Sequence, residues 1–194
     1  MKRALSLTIG AALIIAALVA IILVINNSKD HNSAKKTTAD TNATVNEKKP
    51  TYKTACAIFS LADAKQLLGD TAKGGATNNQ TSSDDLAVSS CSYSQDAGAN
   101  VPISSSNKSA SLLVRAPKTS AGNRSNQNEF GPLKPAEAQP VNGYGDSAYW
   151  DAQYGQLNIL KNNTWYILSY GPITPASRTL GQTQQLADIL ISKM

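Results

Sequence analysis

Twenty-two consecutive residues without a charge, 4–25, lie near the start of this chain. As a helix they rise about 1.5 Å per residue and extend about 33 Å, enough to cross a bilayer core about 30 Å thick. The alternative is a cleaved signal peptide, whose apolar stretch is usually about 7–15 residues long and ends at a small-x-small site. Here the run continues through Ile25 into Asn26 without such a site. We therefore predict an uncleaved transmembrane anchor over 4–25.

The net charge of the chain lies in its N-terminal third. Residues 1–53 carry eight Lys or Arg and three Asp or Glu, a net +5, and the remainder carries ten of each sign. Nucleic-acid-binding domains gather their basic residues on the folded surface itself. The composition therefore argues against a nucleic-acid partner.

The cysteines decide the orientation of the predicted anchor. Basic residues flank both ends of the apolar run in similar numbers, so the positive-inside rule does not choose between the two orientations. Cys56 and Cys91 are the only cysteines, and without metal-type spacing they indicate one disulfide, which persists in an oxidising compartment. We therefore expect a single-pass protein of the cell membrane, with residues 1–3 in the cytoplasm and the C-terminal domain outside.

Residues 26–54 are rich in Asn, Thr, Lys and Ser and contain few apolar side chains. Such a segment cannot bury enough surface to offset its ordering entropy. We interpret it as a flexible polar tether, whose lysines are either merely solvated or lie on anionic lipid headgroups or a wall polymer. His31, the only histidine, falls in this tether. The predicted domain, 55–194, therefore contains no histidine.

Two helices are predicted at the borders of the domain. Ser60 to Asp63 has the form of a capping box, and Gly69 stands where a helix stops. Near the C-terminus, Thr174 and Pro175 resemble an N-cap followed by proline at the first helical position. The residues after them place apolar side chains on one stripe, so this helix should pack on the rest of the domain. The long segments between strands, 70–86, 98–109 and 117–142, predict loops, the last with a short helix near 126–130.

Alternating apolar and polar residues predict strands between these helices. The clearest signal is a three-strand meander near the C-terminus, in which Asn162 and Asn163 form a two-residue turn because Asn tolerates positive φ. This turn sets Leu160 opposite Trp165. Large apolar side chains then lie on both faces, so each face should be covered at least in part. The predicted strands are 87–94, 110–116, 146–150, 156–161 and 164–170.

These elements predict an α+β domain with a mostly antiparallel sheet, packed by an early and a C-terminal helix. Its short motifs, at 55–64, 67–69, 91–93, 143–150 and 155–160, resemble a family of small bacterial envelope lipoproteins, known best from high-GC Gram-positive lineages, whose domain has no known function. The resemblance implies a bond between Cys56 and Cys91, a fold of the PsbP-like or Mog1-like type, and no established catalytic residues. That family is usually lipidated on a cysteine directly after the signal. Here no cysteine precedes Cys56, and a transmembrane anchor takes that place.

The sequence supplies few groups for catalysis. Zinc sites need clustered His or Cys ligands, and the acidic residues lack the alternating spacing of a calcium loop. A serine nucleophile without histidine requires a lysine base, and the chain has no G-x-S-x-G, phosphate loop or dinucleotide motif. We therefore predict a protein without catalytic residues, metal or cofactor.

Aromatic residues are concentrated between Tyr144 and Tyr170. They either pack within the sheet or form a surface for a ligand. Because rings near strand ends are the ones that can be exposed, the predicted ligand-binding residues are Tyr144, Tyr149, Trp150 and Tyr154.

The predicted function is a non-catalytic binding or accessory domain of the bacterial envelope. Its partner would be an envelope protein, a wall polymer or a small apolar ligand. The alternatives are a weak envelope hydrolase and a structural subunit that contacts a membrane complex through its transmembrane helix, where small residues such as Gly10 and Ala17 would permit close packing.

Overall fold

Seven strands form one antiparallel sheet within the residues that the structure describes, 52–77, 83–95 and 107–194. The structure is a computed structural model. The strands are β1 (Ala72–Thr77), β2 (Leu86–Gln95), β3 (Lys108–Pro117), β4 (Gln139–Pro140), β5 (Ser147–Asp151), β6 (Gln156–Lys161) and β7 (Thr164–Pro172). Their order across the sheet is β1-β2-β3-β7-β6-β5-β4. The C-terminal meander is thus extended by β3 on one side and by the short β4 on the other.

Helices pack on both faces of this sheet, which confirms the predicted α+β architecture. The early helix begins at the predicted capping box: the hydroxyl of Ser60 accepts the backbone N–H of Asp63, and the carboxylate of Asp63 accepts the N–H of Ser60. It ends at Gly69, whose φ of 81° suits a residue without Cβ. The helices of the described chain are α1 (Ala55–Ile58), α2 (Leu61–Leu68), α3 (Ser120–Phe130) and α4 (Leu180–Leu190), with a 3-10 turn at Pro175–Ser177.

The meander has the predicted register. Asn162 and Asn163 both have positive φ, 50° and 63°, and join β6 to β7. Leu160 pairs with Trp165, as the two-residue turn requires. The prediction was correct here because a tight turn fixes the pairing of both strands that it connects.

Two predicted segments differ from the structure in their extent. Residues 70–86 were predicted as a loop, but β1 forms there as an edge strand paired with β2. Its sequence, with Gly74 and Gly75 in the middle, has no apolar alternation, so pairing with β2 rather than local pattern determines it. The predicted short helix near 126–130 is the C-terminal part of α3, which already begins at Ser120 behind the cap of Thr119.

The start of the C-terminal helix was also predicted wrongly. Thr174 and Pro175 begin only a 3-10 turn, and Thr174 makes no side-chain cap. The helix α4 starts later, where Thr179 and Gln182 form a reciprocal capping box. A capping box satisfies two backbone N–H groups, whereas proline at the first position only avoids losing one.

The two faces of the sheet differ in how they are covered. The first face carries the main core and is covered by α1, α2 and α4, whose Ile58, Leu68 and Leu186 are buried against it. The second face, formed by the alternate residues of the same strands, carries a smaller cluster of Phe130, Tyr149 and Trp165 under α3. Beyond this cluster, no helix of the described residues covers the second face.

The predicted disulfide between Cys56 and Cys91 is present, with Cα atoms 5.1 Å apart. Cys91 is fully buried on β2, and Cys56 lies inside α1, before the helix that begins at the Ser60 capping box. The bond thus attaches a four-residue helix to β2, the second strand from one edge of the sheet. The predicted anchor, 4–25, and nearly all of the predicted tether lie outside the described residues. No helix within the described residues is long and apolar enough to cross a membrane.

Candidate functional site

The four aromatic residues predicted to bind a ligand occupy three different environments. Tyr149 is 4% exposed and packs on Phe130, with ring centroids 5.0 Å apart. Trp150 is equally buried, but in the main core. Tyr154 lies in the turn after β5 and is 48% exposed. Tyr144 is partly buried and donates a hydrogen bond from its hydroxyl to Asp188 at 2.7 Å.

The four rings therefore do not share one surface. Adjacent residues of a strand point to opposite faces, so Tyr149 and Trp150 are separated by the sheet itself. Burial, with the charge of Asp151 as a second cause, raises the pKa of Tyr149 to about 12. Burial and the Asp188 carboxylate likewise raise the pKa of Tyr144 to about 12, which keeps both hydroxyls protonated at neutral pH. A role in ligand binding for Tyr144 and Tyr154 remains a prediction.

One end of the second face is closed by a polar cluster under α3. Arg115 donates to the carboxylate of Glu129 at 2.5 Å and to the hydroxyl of Ser125 at 3.0 Å. Its guanidinium also lies 5.7 Å from the ring centroid of Trp165. The hydrogen bond from Arg115 is the main cause that lowers the pKa of Glu129, against the opposing effect of burial. The charge of Arg115 is thus paired with Glu129, and its side chain is held in place by the protein itself.

Beyond this cluster the second face contains a shallow groove of about 300 Å³, which we call the serine groove. Its side chains come from the central strands β2, β3, β7 and β6. They are Ser90, Ser92, Ser111, Leu113, Gln156, Ile167 and Ser169.

Two rows of side chains cross the strands in this groove. In the polar row, Ser92 pairs with Ser111, and Ser111 pairs with Ser169. Gln156 continues the row on β6, because it stands one position before the Leu157–Leu168 pair. In the neighbouring apolar row, Leu113 pairs with Ile167. The groove thus offers hydrogen-bonding groups beside an aliphatic strip.

The hydroxyl of Ser169 has no hydrogen bond within the described chain, although the residue is only 5% exposed. Ser169 lies in the middle of the polar row and lines the groove. Its oxygen keeps contact with solvent, because the only buried side-chain nitrogen or oxygen without a partner in the described residues is Oδ1 of Asn126. The hydroxyl can therefore bond either to water or to a molecule lying in the groove.

A second arginine lies beside the polar row, just beyond the residues that line the serine groove. Arg178 donates to the hydroxyl of Ser109, at 3.3 Å, and Ser109 precedes Ser111 by two residues on the same face of β3. Its side chain also contacts Gly155, next to Gln156, so closely that a Cβ at Gly155 would lie 2.8 Å from the Cβ of Arg178. Arg178 therefore lies beside the polar row, on the side toward the ends of the strands.

This arrangement provides groups that can contact a ligand. The hydroxyls of Ser92, Ser111 and Ser169 form no hydrogen bond with a lysine of the described chain, so no lysine base contacts them. The residues that the structure describes include no group of His, Cys, Asp or Glu that could hold a metal ion. Neutral hydroxyl, amide and aliphatic groups can orient a ligand through hydrogen bonds and apolar contact.

Sequence analysis missed this groove. Serines at alternate positions of β2 and β3 indicated only a polar face, and nothing local indicated that Ser111 would pair with Ser169. No protein family, no curated protein and no solved structure was found to match this chain.

Proposed function

We propose that this protein is a non-catalytic binding domain of the bacterial envelope, anchored by one transmembrane helix over 4–25, with its folded domain outside the cytoplasm. The serine groove is its binding surface. The anchor is supported by the uncharged run in the sequence. The location outside the cytoplasm is supported by the Cys56–Cys91 disulfide, because such bonds persist in oxidising compartments.

The observation that carries the binding function is the unbonded hydroxyl of Ser169 in the floor of the groove. No side chain of the described residues competes for this hydroxyl, so a ligand can donate to it or accept from it in place of water. The aliphatic strip of Leu113 and Ile167 adds apolar contact beside it.

The chemistry of the groove selects among the partners considered for the domain. A small apolar ligand would leave the polar row without partners, so it fits poorly. A wall polymer has sugar rings or amide units with polar edges and apolar faces, which match the two rows. We therefore propose a wall polymer as the partner. We also propose that the chain belongs to the envelope lipoprotein family that its short motifs resemble.

Filling the groove tests the function. The full-length protein in nanodiscs is incubated with purified cell-wall sacculi of the source bacterium, and the bound fraction is measured by co-sedimentation. Ser111→Trp places a large side chain in the polar row and should abolish binding. Ser177→Trp is the matched control, because Ser177 is exposed in the 3-10 turn outside the groove. Equal binding by the two variants, with both folded by circular dichroism, would refute the groove as the binding surface.

The anchor has a separate test. Mass spectrometry of the protein extracted from membranes should find the full-length chain. A mature N-terminus beyond Ala20 would show instead that the apolar run is a cleaved signal.

A further inference from the structure

We propose that Arg178 is an oxyanion-binding residue at the end of the serine groove, so that the ligand is a hydroxyl- or amide-bearing chain that also carries a carboxylate or phosphate group. This inference rests on the proposed function, since it specifies the ligand of the same groove. Its test uses small anions and does not depend on the wall-binding result.

The position of Arg178 is fixed by contacts with three strands. Ser109 at the start of β3 accepts from its guanidinium. Gly155, which precedes β6, lies against its Cβ and Cδ, and Gly171 near the end of β7 lies against its Cγ. At both glycines a Cβ would approach Arg178 to within 3.3 Å, so the absence of a side chain at these positions leaves room for the arginine. The side chain is thus built into the sheet end rather than projecting freely from it.

The hydrogen bonds of Arg178 leave part of its guanidinium without a partner. Nε donates to the carbonyl oxygen of Pro172 at 2.9 Å, and Nη2 donates to Ser109 and to the carbonyl oxygen of Ile173, both at 3.3 Å. The remaining nitrogen, Nη1, donates to no described residue. Guanidinium presents parallel N–H groups that suit a carboxylate or phosphate, so an edge left open in this way is suited to such a group.

Arg178 also differs from Arg115 in having no counter-ion. Arg115 is paired with Glu129, whereas no carboxylate of the described chain lies in ion-pair distance of Arg178. Partial burial lowers the pKa of Arg178, and no neighbouring carboxylate offsets this effect. The guanidinium stays charged, because its pKa is far above neutral. Arg178 is only partly buried, so a dissolved anion can reach the charge that the described residues leave unpaired.

A purely structural role accounts for only part of this geometry. By binding the carbonyl oxygens of Pro172 and Ile173, Arg178 holds the chain as it leaves β7. That role uses Nε and Nη2 and predicts no response of the arginine to dissolved anions. The two interpretations are therefore distinguished by titration.

The spacing along β3 defines the ligand further. Ser109 and Ser111 are two residues apart on one face of the strand, which corresponds to roughly 7 Å. A ligand that contacts Ser111 and Ser169 must therefore carry its anionic group about that far along its length. A chain with acidic or phosphorylated units at regular intervals satisfies this requirement, and a neutral glycan does not.

The arginines of the chain allow a direct titration. The chain has four arginines, and each gives one side-chain Nε–H signal when the full-length protein is labelled with 15N-arginine in detergent micelles. Inorganic phosphate and acetate are the probes, with chloride at equal ionic strength as the control. We expect phosphate, acetate or both to shift the Arg178 signal in a saturable way, while the signal of Arg124 on the exposed side of α3 stays in place. The stronger of the two probes indicates whether the natural group is a phosphate or a carboxylate.

Substitutions complete the test. Arg178→Gln should weaken anion binding, followed by the backbone N–H signal of Ser111, by roughly tenfold to a hundredfold, the range for a hydrogen bond between charged groups. Arg124→Gln should leave it unchanged. Arg178→Lys keeps the charge but loses the fork of donors, and should show an intermediate loss. The proposal is overturned if neither probe shifts Arg178 in the wild-type protein, if chloride shifts it equally, or if Arg178→Gln binds the anions as well as the wild type.

Discussion

Removing the Cys56–Cys91 disulfide should cost about 4 kcal/mol of the free energy of unfolding. The bonded cysteines are 35 residues apart in sequence. For a loop of about this length, the chain-entropy relation gives roughly 3.8 kcal/mol at 25 °C, because the bond restricts the unfolded chain. Folded domains are typically stable by only about 5–15 kcal/mol, so the double variant Cys56→Ala, Cys91→Ala should remain folded but with a large loss of stability.

The loss is limited by how firmly α1 is held without the bond. If α1 detached after reduction, the rest of the domain would stay folded and the measured loss would be only the free energy of docking this helix. Ile58 and Phe59 are buried to 2% and 0% exposure in the main core, and the backbone N–H of Ala55 donates to the hydroxyl of Ser89 at 2.9 Å. We therefore expect α1 to stay docked and the full entropic effect to appear.

Urea unfolding of the full-length protein in detergent measures this loss. Both tryptophans, Trp150 and Trp165, are buried in the folded domain, so the fluorescence of the whole chain reports on that domain alone. With a urea dependence of about 2 kcal/mol per M, the unfolding midpoint should fall by about 2 M. Wild-type protein treated with reductant is the control, because it loses the bond and keeps both sulfurs. A loss below about 1 kcal/mol in both samples would refute the reasoning.

Two further predictions concern stability. Gly145→Ala should destabilise the domain by about 1–3 kcal/mol, because φ there is +59° and a Cβ would lie 2.5 Å from the carbonyl oxygen of Leu160. The control Gly131→Ala, at a φ of −73° with open space around it, should be neutral or slightly stabilising. Urea unfolding midpoints of the two variants check this, and equal midpoints would contradict it. Burial raises the pKa of Asp63, but hydrogen bonds from Lys193 and Ser60 lower it by more, so the pKa is below its ordinary value in the folded state. A lowered carboxyl pKa stabilises the folded state above the unfolded value, about 3.9, and this contribution is lost as the pH falls through the folded value. The stability difference between wild type and Asp63→Asn, measured by urea unfolding, should therefore shrink below about pH 4, and a constant difference down to pH 2 would exclude this linkage.

Apart from the Cys56–Cys91 disulfide, which joins residues 35 positions apart, the features predicted correctly from the sequence are mostly local. The capping box at Ser60 and the turn at Asn162 and Asn163 depend on residues at most a few positions apart, and each fixed the element beside it. The start of α4 was also encoded locally, by Thr179 followed by Gln182. It was missed because the Thr174–Pro175 pair gave a second start signal, which proved to belong to a 3-10 turn.

The candidate site could not be predicted in the same way. The serine groove requires β3 to lie beside β7, although 58 positions separate Ser111 from its partner Ser169 in the sequence. A strand pattern shows which residues share a face but not which strands are neighbours. The aromatic residues gave a stronger local signal, yet two of the four predicted to bind a ligand are core residues. Arg178 carried no signal at all, because its lack of a counter-ion is visible only in the folded chain.

The two ends of the described chain meet on one side of the domain. The side-chain amine of Lys53 donates to the backbone carbonyl oxygen of Lys193 at 2.9 Å, and Lys161, the last residue of β6, donates to that of Ile191 at 2.8 Å. Arg178 contacts the opposite end of the same strand, at Gly155. A short linker could therefore join residue 194 to residue 52 and produce a circularly permuted domain opened at an exposed loop such as 131–133, with the serine groove intact. By the same geometry, a fluorescent protein fused after Met194 would emerge beside Lys53 and leave the Arg178 end of the groove accessible.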